Sequence, residues 1–470
     1  MGHSSIHLPQ HGENELAFQI SLPDLVAVTG GVLQDDHSAL TAAAAFGVST
    51  DTRQIRSQDW FLALTGEKFD GHAFVEPAIA QGAAGVIVQA PVDVQPQLRV
   101  ADTLTAYQAI ARWWRQQLAI PIVAITGSVG KTTTKELIAA ALQTQGAVLK
   151  TQANYNNEIG VPKTLLGLTA AHDYGVIEMG MRGPGQIDLL TQIAQPNVAV
   201  ITNVGTAHIE LLGSEQAIAD AKCELLAGLS PEGIAVLNHD NERLLQTAAG
   251  VWSGRQITYG LTGGDIHGKL LNAHEIVVDG VTLPLPLPGQ HNAMNFLAAI
   301  AVMVAFQLDW RVLQAGLAVN LPSGRASRIT LPRDIVLLDE TYNAGAESMQ
   351  AALQLLKQTP GKRHIAVLGT MKELGEHSVR LHQQVGQCVQ NLRLDALLTL
   401  ADAAETTALI AGAGTVPVAS FDHHQALVRH LATLLQPGDR VLFKASRAVA
   451  LDRVVDALRH RLTAPETISS

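Results

Sequence analysis

Residues 122–133, Ile-Val-Ala-Ile-Thr-Gly-Ser-Val-Gly-Lys-Thr-Thr, pass from an apolar β-branched run through two glycines into a lysine-threonine pair. An apolar strand that turns into a helix over two glycines specifies one strand-loop-helix unit of an α/β sheet, so this stretch constrains the fold more than any other. Gly127 and Gly130 leave room for backbone N–H groups to wrap phosphate oxygens, and the helix beyond presents its positive N-terminal end. Lys131 can reach the β- and γ-phosphates of a nucleoside triphosphate, and Thr132 can ligate Mg²⁺. Ser128, Val129 and Thr133 complete the candidate nucleotide loop. The spacing Gly-x-x-Gly-Lys-Thr is two residues shorter than the common phosphate-binding loop, so the reading rests on the flanking strand and helix as well. Ordinary turn chemistry is the bland alternative.

A chain of 470 residues exceeds what one core holds, and its length suggests about three domains. With 47% hydrophobic and 16% charged residues it has the composition of a globular protein. A formal charge of −10 argues against a general nucleic-acid partner, which would require a basic stripe, but leaves room for anionic small substrates. Cys223 and Cys388 are the two cysteines, too few for a disulfide framework or zinc cluster, and we expect both to be buried free thiols in a reducing compartment. The first 17 residues carry His3, His7 and His11 but no Lys, Arg or apolar run, unlike a signal peptide. We expect a flexible tail over 1–17, no membrane insertion and a cytoplasmic protein.

Short strand-like runs (Phe61–Leu64, Gly85–Val88) among turn signals define a small α/β domain over 18–100, whose Pro-rich stretch Pro91–Pro96 reads as a linker. A helix is expected over 101–119 and a strand over 121–126. Helices at 134–145, 185–194 and 214–228 then alternate with strands Tyr174–Glu178, Val198–Thr202 and Ile234–Leu237, the pattern of a mostly parallel sheet covered by helices. The segment 264–288 looks like a hairpin and closes the central domain, 101–321. After Pro322 a second series, Ile335–Asp339, Ile365–Gly369, Ala396–Leu400, Val416–Ser420 and Val441–Phe443, predicts a doubly wound Rossmann-like domain over 322–470.

In open α/β sheets ligands bind beyond the carboxyl ends of strands, which places Glu178 and His208 among the candidates, Glu178 as an Mg²⁺ ligand. Lys222 sits at the edge of the apolar face Ile218, Ala221, Leu225 of its helix. A lysine there ordinarily snorkels to water; the alternative is an inward amine open to carbamate formation. Asn292 or Asn295 can read an adenine edge or merely cap a helix. Asp339 ends a strand and can accept from ribose hydroxyls, and Arg325 lies at the expected domain hinge. Ser49, Thr50, Asp51 and Arg53 form one polar loop of the first domain, and Gly66, Asp70, Gly71 and His72 belong to another. Both suit a nucleotide diphosphate or are plain turns.

Taken together, Thr126–Glu136, Asn154–Pro162, Glu178–Met181, Asn203–His208, Ala221–Glu224, Gly289–Asn292, Asp339–Ala344 and Lys444–Arg447 resemble the Mur ligases, ATP-dependent amide-forming enzymes of peptidoglycan precursor synthesis, over nearly the whole chain. The resemblance implies a UDP-substrate-binding first domain, a central ATP-binding domain and a C-terminal Rossmann-like domain. It implies ATP contacts from Gly127–Thr133, Asn295, Arg325 and Asp339. Mg²⁺ would be held by Thr132, Glu178 and His208, with Lys222 as a carbamate for a second metal, and the catalytic set would be Lys131, Glu178, His208 and Lys222. Its substrates would be UDP-N-acetylmuramoyl-tripeptide and D-alanyl-D-alanine, with Tyr342, Asn343, Lys444, Ser446 and Arg447 toward the dipeptide, in a monomer. The family's Asp-Asp-Ala-Tyr-Asn-Ala-Asn-Pro reads Asp-Glu-Thr-Tyr-Asn-Ala-Gly-Ala at 339–346, and Ala445 replaces a usual glycine. The Asp-Asn-Pro-Arg segment of the diaminopimelate-adding members is missing, which favours the dipeptide over a sister activity that adds a single amino acid. From another class, a nucleotide-driven switch would use the phosphate loop alone.

Overall fold

The computed structural model describes residues 18–34, 45–66 and 69–463; the expected tail 1–17 and loop residues Glu67 and Lys68 lie outside the described residues. The fold is α/β, on main sheets of five, nine and six strands, one for each of three domains. The chain forms two compact units, Met1–Ala124 with Gly146–Met179 and Leu189–Asn197, and Ile125–Gln145 with Gly180–Asp188 and Val198–Ser470.

In the first unit the five-stranded sheet has the order Val32–Gln34, Gln97–Arg99, Gly85–Val88, Trp60–Leu62, Val48–Ser49, parallel except for its first pair. Successive strand side chains point to opposite faces. Trp60 and Leu62 accordingly pack with Leu25, Tyr107 and Ile110, while Phe61 and Ala63 pack with Val75 and Ala78. Covered on both faces, these strands read as continuous apolar runs. The Pro-rich stretch is no linker. It is a crossover inside the domain, because Gln97–Arg99 returns to the sheet, and buried Gln97 donates to the carbonyls of Val92 (2.8 Å) and Val94 (3.1 Å). Helix Thr103–Gln117 is capped by Asp102, which accepts from the Thr105 N–H at 2.6 Å. Tyr174–Glu178 forms as expected and pairs in parallel with a short strand, Val148–Lys150, too brief to stand out in the sequence.

In the second unit Val198–Ile201, Ile234–Asn238, Arg255–Gly260 and Ile266–Asn272 run parallel, and Glu275–Val278 and Val281–Pro284 add an antiparallel meander over the expected hairpin. The strand expected over 121–126 is observed at Ile122–Thr126, its last two residues in this unit. The helix expected from 134 begins three residues earlier, at Lys131, because Gly130 at φ 86° ends the loop as the N-cap. Helix Gln290–Ala305 is apolar nearly all round, as a helix enclosed in a core must be, and packs on Lys131–Gln143. The C-terminal sheet, Ser327–Leu331, Ile335–Asp339, Asp439–Lys444, Arg363–Gly369, Ala396–Leu400, Val418–Ser420, is parallel apart from its first strand. Leu337, Val367, Leu398 and Phe443 meet Leu427, Leu431, Val454 and Leu458 of two helices in one core. Cys223 is buried, but Cys388 is half-buried, a correction to the expectation for both; neither is in a disulfide.

At the start of this sheet's central strands Asp439 is fully buried and takes a two-pronged contact from Arg363, Nε to Oδ1 at 2.9 Å and Nη2 to Oδ2 at 2.6 Å. Removing one partner strands the other's charge in the core. Arg363→Ala should therefore destabilise the C-terminal domain by about 3 kcal/mol, read as a lowered urea midpoint.

Candidate active site

The phosphate loop leaves the strand at Gly127, whose φ is 151°, and a Cβ there would lie 1.9 Å from the Thr202 hydroxyl. A Cβ on Gly130 would meet the Asn295 Oδ1 at 2.7 Å. Both glycines are thus fixed by close approach as well as by backbone angle. The end of the neighbouring strand staples the loop. Asn203 accepts from the Val129 N–H at 2.9 Å and donates to the Val129 carbonyl at 2.9 Å, its own carbonyl accepts from the Ser128 N–H at 3.0 Å, and the Thr202 hydroxyl donates to the Val129 carbonyl at 2.7 Å. Lys131, at the first position of the helix, donates to the Gly127 carbonyl at 2.6 Å, and Thr132 beside it is buried.

Three bases stand close enough in this unit to feel one another's charge. Lys222 is 1% exposed, so the snorkelling reading fails: its helix turns the amine inward. Burial, and then the Lys131 charge, push Lys222 well below the ordinary lysine range. His208 holds a left-handed conformation, φ 67°, at the start of the short helix Ile209–Leu212, and its Nδ1 meets Glu373 Oε2 at 2.5 Å. Burial and the Lys131 charge lower its pKa, against the pull of Glu373.

Asn295 comes to the phosphate loop, accepting from the Thr134 hydroxyl at 3.1 Å, whereas Asn292 donates to the Pro288 carbonyl at 2.8 Å and is no cap: the helix is capped at Gly289. On the C-terminal domain Arg325 stacks on the Tyr342 ring, 3.9 Å from its centre, and its buried Nε has no hydrogen-bond partner. Asp339 accepts from the Thr341 hydroxyl at 2.6 Å; burial raises its carboxyl pKa. Lys444 is buried and donates to the Asn343 carbonyl at 3.0 Å, and Ser446 accepts from the Lys372 N–H at 2.9 Å. Arg447 does not join them: it is exposed and paired with Asp452 at 2.9 Å.

In the first unit Glu178 is buried at its strand end, accepting from Asn156 Nδ2 at 2.8 Å, with its N–H on the Thr151 hydroxyl at 2.9 Å. Both polar loops follow carboxyl ends of neighbouring parallel strands. In the first, Arg53 grips Asp51 through Nε (2.9 Å) and Nη2 (2.8 Å), which pulls the Asp51 carboxyl down to about 2, and the Ser49 hydroxyl donates to the Asp51 carbonyl at 3.0 Å. The Lys163 amine, which lies 4.7 Å from the centre of the Tyr155 ring, adds to the positive field on Asp51. In the second, beyond Gly66, Asp70 caps Gly71–Phe74 and meets His72 Nδ1 at 2.7 Å, while His72 Nε2 accepts from the N–H groups of Gln89 (3.2 Å) and Ala90 (3.3 Å). That arrangement places the ring proton on Nδ1.

Sequence reasoning missed Thr202, Asn203, Glu347 and Glu373. Asn203 lay within a recognised segment, but its partner Val129 is 74 positions away, a distance no local pattern reveals. Glu347 and Glu373 carried no signal beyond being acidic.

Residues 46–147, 125–303 and 324–447 match models described as the Mur ligase family catalytic domain, the Mur ligase middle domain and the Mur ligase glutamate ligase domain. The chain is 57% identical over 415 residues to a UDP-N-acetylmuramoyl-tripeptide–D-alanyl-D-alanine ligase of Synechocystis, covering 87% of this chain and 91% of the relative. An Escherichia coli K12 relative of the same name is 38% identical over 459 residues, covering 94% and 99%. Among solved structures, MurF from Acinetobacter baumannii superposes with a TM-score of 0.86 at 31% identity, covering 94% of this chain and 99% of that one. MurF ligase from Thermotoga maritima in complex with ADP gives 0.80 at 30%, covering 88% and 97%.

Asn203→Ala should loosen the loop it staples. Amide exchange at Val129 is expected to rise at least about tenfold, since two hydrogen bonds worth roughly 1 kcal/mol each are lost.

Proposed function

The chain belongs to the Mur ligase family, and on that premise we propose that it is the ATP-dependent ligase that joins D-alanyl-D-alanine to UDP-N-acetylmuramoyl-tripeptide, giving the pentapeptide precursor of peptidoglycan with release of ADP and phosphate. The observation that carries the mechanism is the gathering of Lys131, His208 and Lys222 at a phosphate loop, with burial first among the causes that press Lys222 and His208 toward their uncharged forms. We take domain limits at 18–100, 101–321 and 322–470, which enclose main sheets spanning 32–99, 122–284 and 327–444. Free thiols and ATP use support a cytoplasmic location.

A peptide carboxylate resists amines because its leaving group would be oxide; transfer of the γ-phosphoryl group to it makes an acyl phosphate whose leaving group is phosphate. Two anions must meet in that step, so the residues around them supply positive charge. Lys131 now rests on the Gly127 carbonyl, a contact that a phosphate oxygen would replace. Asn203 holds the shape of the loop through the N–H and carbonyl of Val129, and the start of helix Lys131–Gln143 that follows would receive phosphate.

Mg²⁺ suits the donor set. Among the described residues no three His, Cys, Asp or Glu side chains form a metal cage, and Mg²⁺ seldom uses one, taking one or two protein oxygens together with substrate phosphates. Thr132 and Glu178, with His208, would hold it, and Lys222 as a carbamate would hold a second metal ion. Bound there, the ion would neutralise the charge between phosphate and carboxylate. Lys222 favours carbamate chemistry: its uncharged amine can form an N–C bond to carbon dioxide with loss of a proton. The resulting anion would turn the repulsion from Lys131 into attraction.

Arg325 and Asp339 would contact the nucleotide and Asn295 would position it beside Gly130, a role its 2.7 Å approach there supports. The loops Ser49–Arg53 and Gly66–His72 would take the UDP end of the substrate, consistent with their place beyond parallel strand ends. Tyr342, Asn343, Lys444 and Ser446 would face the dipeptide, and Arg447 would have to leave Asp452 to join them. The dipeptide amine would then attack the acyl carbon, and the tetrahedral intermediate would expel phosphate.

Mg-ATP-dependent phosphate release with the UDP-tripeptide should require D-alanyl-D-alanine; release with a single amino acid instead would assign a sister activity, and slow release without either would indicate a switch. Lys131→Ala should lower kcat by at least about a thousandfold, and unchanged turnover would remove Lys131 from the mechanism. Lys222→Ala should lose activity comparably, with partial recovery on adding short carboxylates such as formate or acetate; full activity without them would exclude the carbamate.

A further inference from the structure

Glu347 is the second residue of helix Ala346–Gln358 on the C-terminal domain. An acidic residue in a first helical turn ordinarily serves that helix's own dipole. This one engages a segment of the central domain: Oε1 accepts from the Thr206 N–H at 2.7 Å and Oε2 from the Thr206 hydroxyl at 3.2 Å. A Cβ on Gly205 would lie 2.6 Å from Oε1, so the carboxylate packs where the chain has no side chain. The Gly205 N–H in turn donates to the Ser128 hydroxyl at 2.9 Å, inside the phosphate loop. The same segment is held at its far end, where the Glu373 carbonyl accepts from the Glu210 N–H at 3.3 Å.

We propose that Glu347 is a positioning residue for the phosphate loop, fixing the 205–206 backbone from the C-terminal domain and, through the Gly205 N–H, the Ser128 hydroxyl. A glycine backbone has the widest conformational choice of any residue, so the hydrogen bond that orients Ser128 depends on something else restraining position 205. Contacts to an ionised carboxylate are the stronger class of hydrogen bond and suit that task. Ser128, one residue past Gly127, is then held with the loop amides in place before nucleotide arrives. This inference rests on the nucleotide-binding reading of the loop.

The test is a double-mutant cycle in the full-length protein, with Mg-ADP affinity measured by calorimetry. Glu347→Ala and Ser128→Ala should each weaken binding about tenfold. Because both break one chain of contacts, the double variant should be little weaker than either single, rather than the roughly hundredfold expected of independent sites. Glu347→Ala within twofold of wild type, or full multiplication of the two effects, overturns the proposal. Should Glu347→Ala fail to fold, Thr206→Val removes only the hydroxyl half of the contact: a loss of about threefold supports the proposal, and unchanged affinity overturns it. Failure of the unaltered protein to bind Mg-ADP would instead overturn the nucleotide reading itself.

Discussion

The side-chain amide of Asn203, bound through both its oxygen and its nitrogen to the backbone of Val129, is the contact on which the phosphate loop depends. A loop that binds phosphate through backbone N–H groups must hold those groups aimed outward while unliganded, which leaves its own carbonyls in need of partners. Val129 finds its partners in Asn203 and Thr202, and Lys131 covers the Gly127 carbonyl. The end of the adjacent strand therefore satisfies the carbonyl of Val129 and takes up the N–H groups of Ser128 and Val129, and the start of helix Lys131–Gln143 is what presents N–H groups to a ligand. Gly127 and Gly130 follow from this arrangement, since the side chains that support the loop sit where a Cβ would be.

Beside this rigid frame the protein places charge sparingly. Lys222 is buried with Lys131 as its cationic neighbour, a position hostile to an ammonium ion. A purely structural lysine would find a carboxylate, as Lys135 does in the adjacent Glu136 at 3.0 Å within helix Lys131–Gln143. Lys222 is buried to nearly the same extent, and burial with the Lys131 charge presses its amine toward the uncharged form. His208 is handled differently: its backbone is left-handed, and the contact of Nδ1 with Glu373 orients the ring.

Much of this was legible in the linear chain. Runs such as Gly85–Val88, Ile335–Asp339 and Ala396–Leu400 are strands within the limits their apolar residues suggest, because a strand buried on both faces must be apolar throughout. Val148–Lys150 and Arg255–Gly260 escaped notice: the first is three residues long, and the second mixes polar positions with buried ones because part of it is exposed. Pro91–Pro96 looked like a boundary because proline disfavours strands, yet pairing of Gln97–Arg99 with the sheet outweighs that local preference.

The sequence by itself determined the α/β class, the phosphate loop and the family, since these depend on local pattern: two glycines, a lysine and a threonine between an apolar run and a helix for the loop, and eight ordered segments from Thr126–Glu136 to Lys444–Arg447 for the family. Only the tertiary structure decided which polar residues face inward and what they touch. The local pattern favoured a snorkelling Lys222, and the packing of its helix buried it instead. Asn203 and Glu347 act on residues 74 and 141 positions away, and such pairings arise only when separate strands and helices are brought side by side. Periodicity records which face of an element is apolar; it does not record which distant backbone that face will meet.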